Sequence, residues 1–330
     1  MRPITDIHTH VVPSHFPAFV ADAPSPIEMR GSCNCGRADV FIDGKMFRTV
    51  TDECWDTDRR LETMNRIGIG RQLLSPMPEL LSHWRPLTET LAIAEHVNAT
   101  LAAMVERAPP RLAALGVVPL QDPEAAIRTL QGLMAQPGFC GVEIGTNIDG
   151  LPLGDARFAP FFAEAERLGA AVFVHPVRPV AGYRLDGPAV LGTLAAFPCE
   201  IALAAVSLIA GGVLTRHKRL RLAFSHGGGA LGLLLPRLDN GWATLPAFAQ
   251  TVAECPSEQA RRLYYDTLVY DGPTLSFLIE RFGKTQLCIG SDLPFAVAEK
   301  DPVGRLTALG LAGADMELLL SENAARFAGL

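Results

Sequence analysis

Apolar runs of five to seven residues recur along the chain at 3–8, 71–76, 113–119, 139–145, 171–175, 220–225, 263–269 and 286–291, and each reads as a strand. Stretches of helical period lie between them. Within 88–107, Leu91, Ala94, Val97, Leu101 and Met104 recur at three- and four-residue spacing, which predicts a helix with one apolar face. Asp122-Pro123-Glu124 supplies an N-cap and a proline at the first helical position, ahead of Ala125-Ala126-Ile127. Asp56-Thr57-Asp58 opens another helix, with Leu61 and Met64 on its buried side. Strands that alternate with helices predict a parallel sheet, and eight of them predict closure into an α/β fold of the (β/α)8 barrel type. An open, doubly wound sheet is the competing reading. It is weakened by a first strand–helix junction that carries His8-Thr9-His10 in place of a glycine fingerprint.

Residues 11–52 break the alternation. Several prolines and glycines precede Val40-Phe41-Ile42, Asp43-Gly44 and Lys45-Met46-Phe47, a hairpin signal. This segment reads as an insertion after strand one within a single domain covering 1–330, and it falls over the barrel mouth because the strand-to-helix loops emerge there. Residues 176–189, rich in Pro and Gly, form a second long loop on the same face.

Composition narrows the picture. Apolar residues make up 48% of the 330, ample for a large core. A net charge of −6 and the lack of a basic stripe argue against nucleic acid. No run of about 18 apolar residues is apparent, so no membrane span is expected. The chain enters Ile4-Thr5-Asp6-Ile7 without a signal-peptide pattern, which points to the cytoplasm. Seven scattered cysteines suit a reducing compartment, and Cys140, Cys199 and Cys288 read as small buried hydrophobes. Cys33-Asn34-Cys35 resembles half of a zinc site, but no partner pair follows at suitable spacing.

The chemistry gathers at strand ends. His8 and His10 are two apart on one strand and so share a face. His175 closes the fifth apolar run, and Asp292 follows the eighth. In a barrel all these ends converge on one rim, where three imidazoles and a carboxylate suit one divalent ion: zinc first, with manganese or iron as alternatives, and no organic cofactor. His226, ahead of Gly227-Gly228-Gly229, reads as a general base beside a metal-bound water, because an ordinary imidazole pKa lies near working pH. Glu143 on strand four bridges a second metal or, the favoured reading, pairs with substrate or an arginine. Arg48 and Arg237 each offer a fork to a carboxylate, or simply a surface ion pair; spacing does not decide. Trp84, beside His83 after strand two, is placed near the mouth as a substrate contact. His15, His96 and His217 read as ordinary packing or surface residues.

The motifs Asp6-Ile7-His8-Thr9-His10, Phe47-Arg48, Val174-His175-Pro176, Ser225-His226-Gly227-Gly228-Gly229, Arg237-Leu238-Asp239-Asn240 and Gly290-Ser291-Asp292-Leu293-Pro294-Phe295 together resemble the amidohydrolase superfamily, in its aminocarboxymuconate-semialdehyde decarboxylase-like branch. The resemblance runs along nearly the whole chain. It implies zinc held by His8, His10, His175 and Asp292, with Asp292 and His226 in the chemistry and His226 as acid/base. It also implies a substrate carboxylate gripped by Arg48 and by Arg237 of a second copy, so a homodimer. Two departures stand at the implied pocket wall. Val177 replaces the Trp that follows the His-Pro of that branch, and Glu143 stands where a neutral amide is expected. Arg178 and Arg184 offer extra anion contacts. The expected reaction is metal-dependent, cofactor-free decarboxylation of a small unsaturated or aromatic carboxylic acid. Its rival is a hydrolase or hydratase of a carboxylated ring-cleavage product on the same scaffold. A binding or assembly protein with a structural zinc is a more distant alternative, against which the open ligand set argues.

Overall fold

The computed structural model describes residues 2–19, 24–31, 36–180 and 185–330. Eight parallel strands follow one another in sequence order: β1 (Thr5–Val11), β2 (Arg71–Pro76), β3 (Leu112–Val117), β4 (Phe139–Gly145), β5 (Ala171–His175), β6 (Arg221–Phe224), β7 (Tyr264–Asp266) and β8 (Leu287–Cys288). The ring closes through parallel bridges Asp6–Ile289 and Thr9–Leu293, with Ile7 N donating to Ile289 O and His10 N to Leu293 O, both at 2.8 Å. A (β/α)8 barrel is therefore the architecture, as the eight apolar runs predict. The last two strands are shorter than their apolar runs. After β7 the Asp266 carboxylate accepts from Leu268 N at 3.0 Å and turns the chain out of the sheet.

The principal outer helices are α1 (Thr57–Arg66), α2 (Leu87–Arg107), α3 (Pro123–Met134), α4 (Ala159–Leu168), α5 (Phe197–Ala210), α6 (Leu231–Thr244), α7 (Gly272–Phe282) and α8 (Asn323–Ala328). Their starts follow capping chemistry. Asp56 Oδ1 accepts from Asp58 N at 2.9 Å, and Asp122 Oδ1 accepts from Ala125 N at 2.9 Å ahead of Pro123. The main core lies between sheet and helices. A second cluster (Ile7, Leu73, Leu115, Phe173 and Cys288 among its members) is joined by Ala324, Phe327 and Ala328 of α8. Because α8 touches Tyr264 and Arg221, at the starts of β7 and β6, it closes the end opposite the strand termini that carry the histidines.

Between β1 and α1 the chain forms a three-stranded antiparallel sheet of Ile27–Arg30, Arg37–Ile42 and Lys45–Thr51. Asp43 and Gly44 both take positive φ, 51° and 74°, the geometry of a tight hairpin whose twist matches its strands.

Three expectations need correction. Leu91 is 37% exposed, because the buried face of α2 runs through Thr90, Ile93, Ala94, Val97 and Leu101. Cys199 is exposed near the start of α5, unlike the buried Cys140 and Cys288. An apolar stretch of spanning length does exist: Gly192–Ala210 is helical over 19 residues with mean hydropathy 1.9. Half of it is buried in the protein, as the outer-layer helix of a barrel must be, so it is weak evidence for a membrane. Cys33 and Cys35 lie outside the described residues.

Candidate metal centre and active site

His8 and His10 project from β1, His175 ends β5, and Asp292 follows β8 with its backbone N bonded to His8 O at 2.8 Å. The barrel brings one ligand atom from each of the four within 4.8 Å of the others, all buried. His8 Nε2 and His10 Nε2 are 3.1 Å apart, and Asp292 Oδ1 lies 3.6 and 3.0 Å from them.

The far nitrogens of these rings are already committed. His8 Nδ1 faces Asp266 Oδ2 at 2.6 Å, His10 Nδ1 faces Pro76 O at 2.8 Å, and His175 Nδ1 faces Pro176 O at 2.9 Å. Each acceptor fixes a proton on Nδ1 and leaves the Nε2 lone pair for a ligand in the ring's centre. Asp292 Oδ1 is buried and makes no hydrogen bond. Lone pairs that converge in a dry space require a positive charge among them. A divalent cation fits that donor set of three nitrogens and a carboxylate oxygen. Otherwise a proton must bridge. Burial disfavours charge on His8, but the Asp266 hydrogen bond and the Asp266 and Asp292 carboxylates outweigh it and push the ring up to about 9.

Two further side chains brace β1. Asp6, pushed up to about 6 by burial, accepts from Ser291 Oγ at 2.5 Å and from His8 N at 3.1 Å. Arg60 of α1 is buried and donates to His10 O at 2.5 Å, Gln72 Oε1 at 3.2 Å and Glu53 O at 3.0 Å.

A cavity of about 270 Å³ opens against His175 and Asp292, and Arg48, Glu79, His226 and Phe295 also contribute to its wall. His226 follows β6 with φ 52°, its ring centroid 5.2 Å from those of both His8 and His175. Its backbone N is held by Asp266 Oδ2 at 2.9 Å, and its Nδ1 has no partner. Burial, helped by the His8 charge, pulls the ring down to about 4, so it is neutral at ordinary pH and able to accept a proton. Arg48, on the inserted sheet, lays its guanidinium over the Phe295 ring at 4.1 Å, and Phe295 in turn stacks on His10 at 4.7 Å.

The sequence pattern of the amidohydrolase family matches residues 5–330. The chain belongs to the amidohydrolase family. Among its relatives in that family, the 2-amino-3-carboxymuconate-6-semialdehyde decarboxylase of Dictyostelium discoideum is 33% identical over 329 residues, covering 98% of this chain and 91% of the other. The gamma-resorcylate decarboxylase of Rhizobium radiobacter is 31% identical over 218 residues, 62% of this chain and 67% of its own length. A crystal structure of a dihydroxybenzoic acid decarboxylase from Polaromonas sp. JS666, with bound manganese and the inhibitor 2-nitroresorcinol, superposes with a TM-score of 0.80 at 21% identity, covering 100% of this chain and 98% of the other.

Within this family member, the predicted residues divide. His8, His10, His175, Asp292, His226 and Arg48 meet at one rim. Trp84 does not line their cavity; it borders neighbouring hollows, where the exposed Arg178 lies over its ring at 4.7 Å. His83 beside it is buried with neither ring nitrogen bonded, and burial pulls it down to about 4. Arg237 is exposed on α6, away from the chain's own cavity. Glu143 is fully buried but stands outside the four-ligand group. Both its oxygens lack hydrogen bonds, since the nearby Ser75 hydroxyl donates to Thr9 O, and burial pushes it up to about 8. Arg184 lies outside the described residues. Asp266 and Glu79 escaped the sequence reading. Asp266 lies in the middle of the apolar run 263–269 and so lacks the run-end signal of His175; Glu79 carries none.

Proposed function

We propose that this chain is a metal-dependent carboxy-lyase that releases carbon dioxide from a small unsaturated or aromatic carboxylic acid, aminocarboxymuconate semialdehyde first among candidates. One observation carries the reading: a guanidinium (Arg48), a neutral imidazole (His226) and two members of a divalent-cation donor set (His175 and Asp292) line one cavity. The decarboxylase names of the relatives described above support it.

Residues His8, His10, His175 and Asp292 hold the cation, zinc first and manganese or iron as alternatives, the Polaromonas enzyme having manganese. When bound, it supplies Lewis acidity and a fixed positive charge at the cavity floor. Arg48 offers a fork to the substrate carboxylate and fixes its orientation, its own position held by the Phe295 ring. His226 moves the proton. Protonation of the carbon that bears the carboxylate interrupts conjugation, the C–C bonding pair then restores it, and CO2 departs; RCOO⁻ and H⁺ become RH and CO2. Phe197, Leu268, Val269 and Phe295 give the cavity apolar walls that limit water around the departing CO2.

The proposal includes a homodimer with Arg237 reaching the neighbouring site. On α6, Leu233 is 73% exposed and stands one turn before Arg237, so an apolar contact and the guanidinium share a face. Leu203 on α5, which packs against α6, adds 54% exposed apolar surface. The described cysteines are free thiols, which suits a cytoplasmic setting.

The test is metal-loaded protein with freshly generated aminocarboxymuconate semialdehyde and, beside it, dihydroxybenzoates, scored for CO2 and for hydrolysis products. Stoichiometric CO2 supports the lyase; hydrolysis without CO2 replaces it with the hydrolase. His226→Ala is expected to keep its metal and lose about 10²–10⁴-fold in turnover. Turnover near wild type would remove His226 from the chemistry.

A further inference from the structure

Glu79 is out of place in its surroundings. It stands in the short helical turn Pro78–Leu81 after β2, whose other members, Pro78, Leu80 and Leu81, are all buried. Its Oε2 is shut off from solvent and has no hydrogen-bond partner. A carboxyl oxygen so placed costs stability relative to an apolar side chain, and the turn itself does not require one. Glu79 lines the same cavity as Arg48, His226 and Asp292. Arg48 would be its natural partner, yet among the described residues the two form no ion pair, and the guanidinium lies instead over Phe295. The cavity wall thus holds a carboxyl group with one unpartnered oxygen behind its surface and a guanidinium that forms no ion pair with it.

We propose that Glu79 is the specificity-determining residue of this site, accepting a hydrogen bond from an amino or hydroxyl substituent of the substrate whose carboxylate meets Arg48. The inference rests on the carboxylic-acid reading above and deepens it: the substrate carries an N–H or O–H donor in addition to its carboxylate. A bare acid leaves Glu79 Oε2 desolvated and unpaired, whereas a donor-bearing acid relieves it. Discrimination follows because only the donor-bearing ligand gives that oxygen, unpaired in the free protein, a hydrogen bond.

The experiment is titration calorimetry on the metal-loaded wild type, Glu79→Leu and Glu79→Gln. The probes are benzoate and 2,4-hexadienoate, each beside its hydroxy- and amino-substituted analogues. In the wild type at least one donor-bearing analogue should bind about 10–100-fold tighter than its parent acid, the range expected of a hydrogen bond to a charged group. In Glu79→Leu that advantage should shrink to within about twofold, while the parent acid is held as before by Arg48. Glu79→Gln keeps an acceptor oxygen and should retain part of the preference, which separates loss of the acceptor from damage to the turn. Comparison of the hydroxy and amino arms tells which donor the site takes. Parent acids that bind while no analogue is preferred, or a preference that survives in Glu79→Leu, would overturn the inference and leave the carboxylic-acid reading standing. If no probe binds metal-loaded wild type, both fall.

Discussion

Asp266 ties three parts of the site together. One oxygen holds His8 Nδ1 and the His226 backbone N, while the other holds Gly227 N and Leu268 N at 2.9 and 3.0 Å. Asp266→Asn keeps the shape but can point an amide N–H at His8 Nδ1, favouring the tautomer that protonates Nε2. Metal affinity should fall by about 10–100-fold, read as metal retained after dialysis against a graded chelator. Glu143 bears on pH. Burial raises its folded carboxyl from 4.5 to about 8, so across that window the folded chain keeps a proton that the unfolded chain gives up. Its stabilising contribution is full below 4.5 and fades, on the order of 1 kcal/mol per pH unit, as pH rises to about 8. Metal-free Glu143→Gln should therefore melt above the wild type near the top of that window and level with it near the bottom. Identical pH profiles would show that Glu143 is not held neutral by the fold. The ligands were legible in the sequence because metal chemistry limits the residue types to a few and strand ends limit the places. Glu79 was not, since an isolated carboxylate after Met77-Pro78 looks like any surface acid until the cavity is built around it.

At the level of elements, the turn after β6 shows how chain conformation positions His226. His226 takes φ 52°, and Gly227, Gly228 and Gly229 follow with φ of 62°, 77° and 56°. Glycine takes such φ values without strain. The structure gives a more local reason as well. A Cβ on Gly229 would sit 2.0 Å from Pro198 O, and one on Gly228 2.7 Å from the Tyr265 ring. The turn is thus pressed between α5 and β7, and that pressure sets the imidazole above the ligands. Gly229→Ala should lower the melting temperature and turnover together, because neither the backbone contact nor the positive φ tolerates a methyl group. An unchanged melting temperature would mean that the turn has slack. The eight strands and the caps of α1 and α3 were legible because period and capping act over a few residues. The lengths of β7 and β8 were not, because Asp266 ends one by a hydrogen bond and the other meets β1 through isolated bridges.

At the scale of the whole molecule, the separation of Arg237 from its own cavity gives the dimer proposal a direct test. His226→Ala and Arg237→Ala each disable a site if both residues act, and mixing them should restore activity only when Arg237 works across an interface. Refolded together in equal amounts, the two variants form half mixed dimers, each with one intact site, so activity should return to about a quarter of wild type. No recovery would confine Arg237 to its own subunit or to the surface. No sequence period could have revealed this, because an arginine on an outer helix looks the same whether it faces water or a second copy.

The bridges that join β1 to the last strand have a consequence in time. Asp292 follows His8 by 284 residues. At roughly 5–20 residues per second, a ribosome delivers the fourth ligand some 15–60 seconds after the first. For that interval the nascent chain offers two neighbouring histidines, joined partway by His175, and no closed cage, so it has little hold on a scarce ion against the cell's other ligands. A released fragment that stops at residue 286 should bind zinc far more weakly than the full chain. Metal loading would then report that synthesis has reached β8 and that the ring has closed.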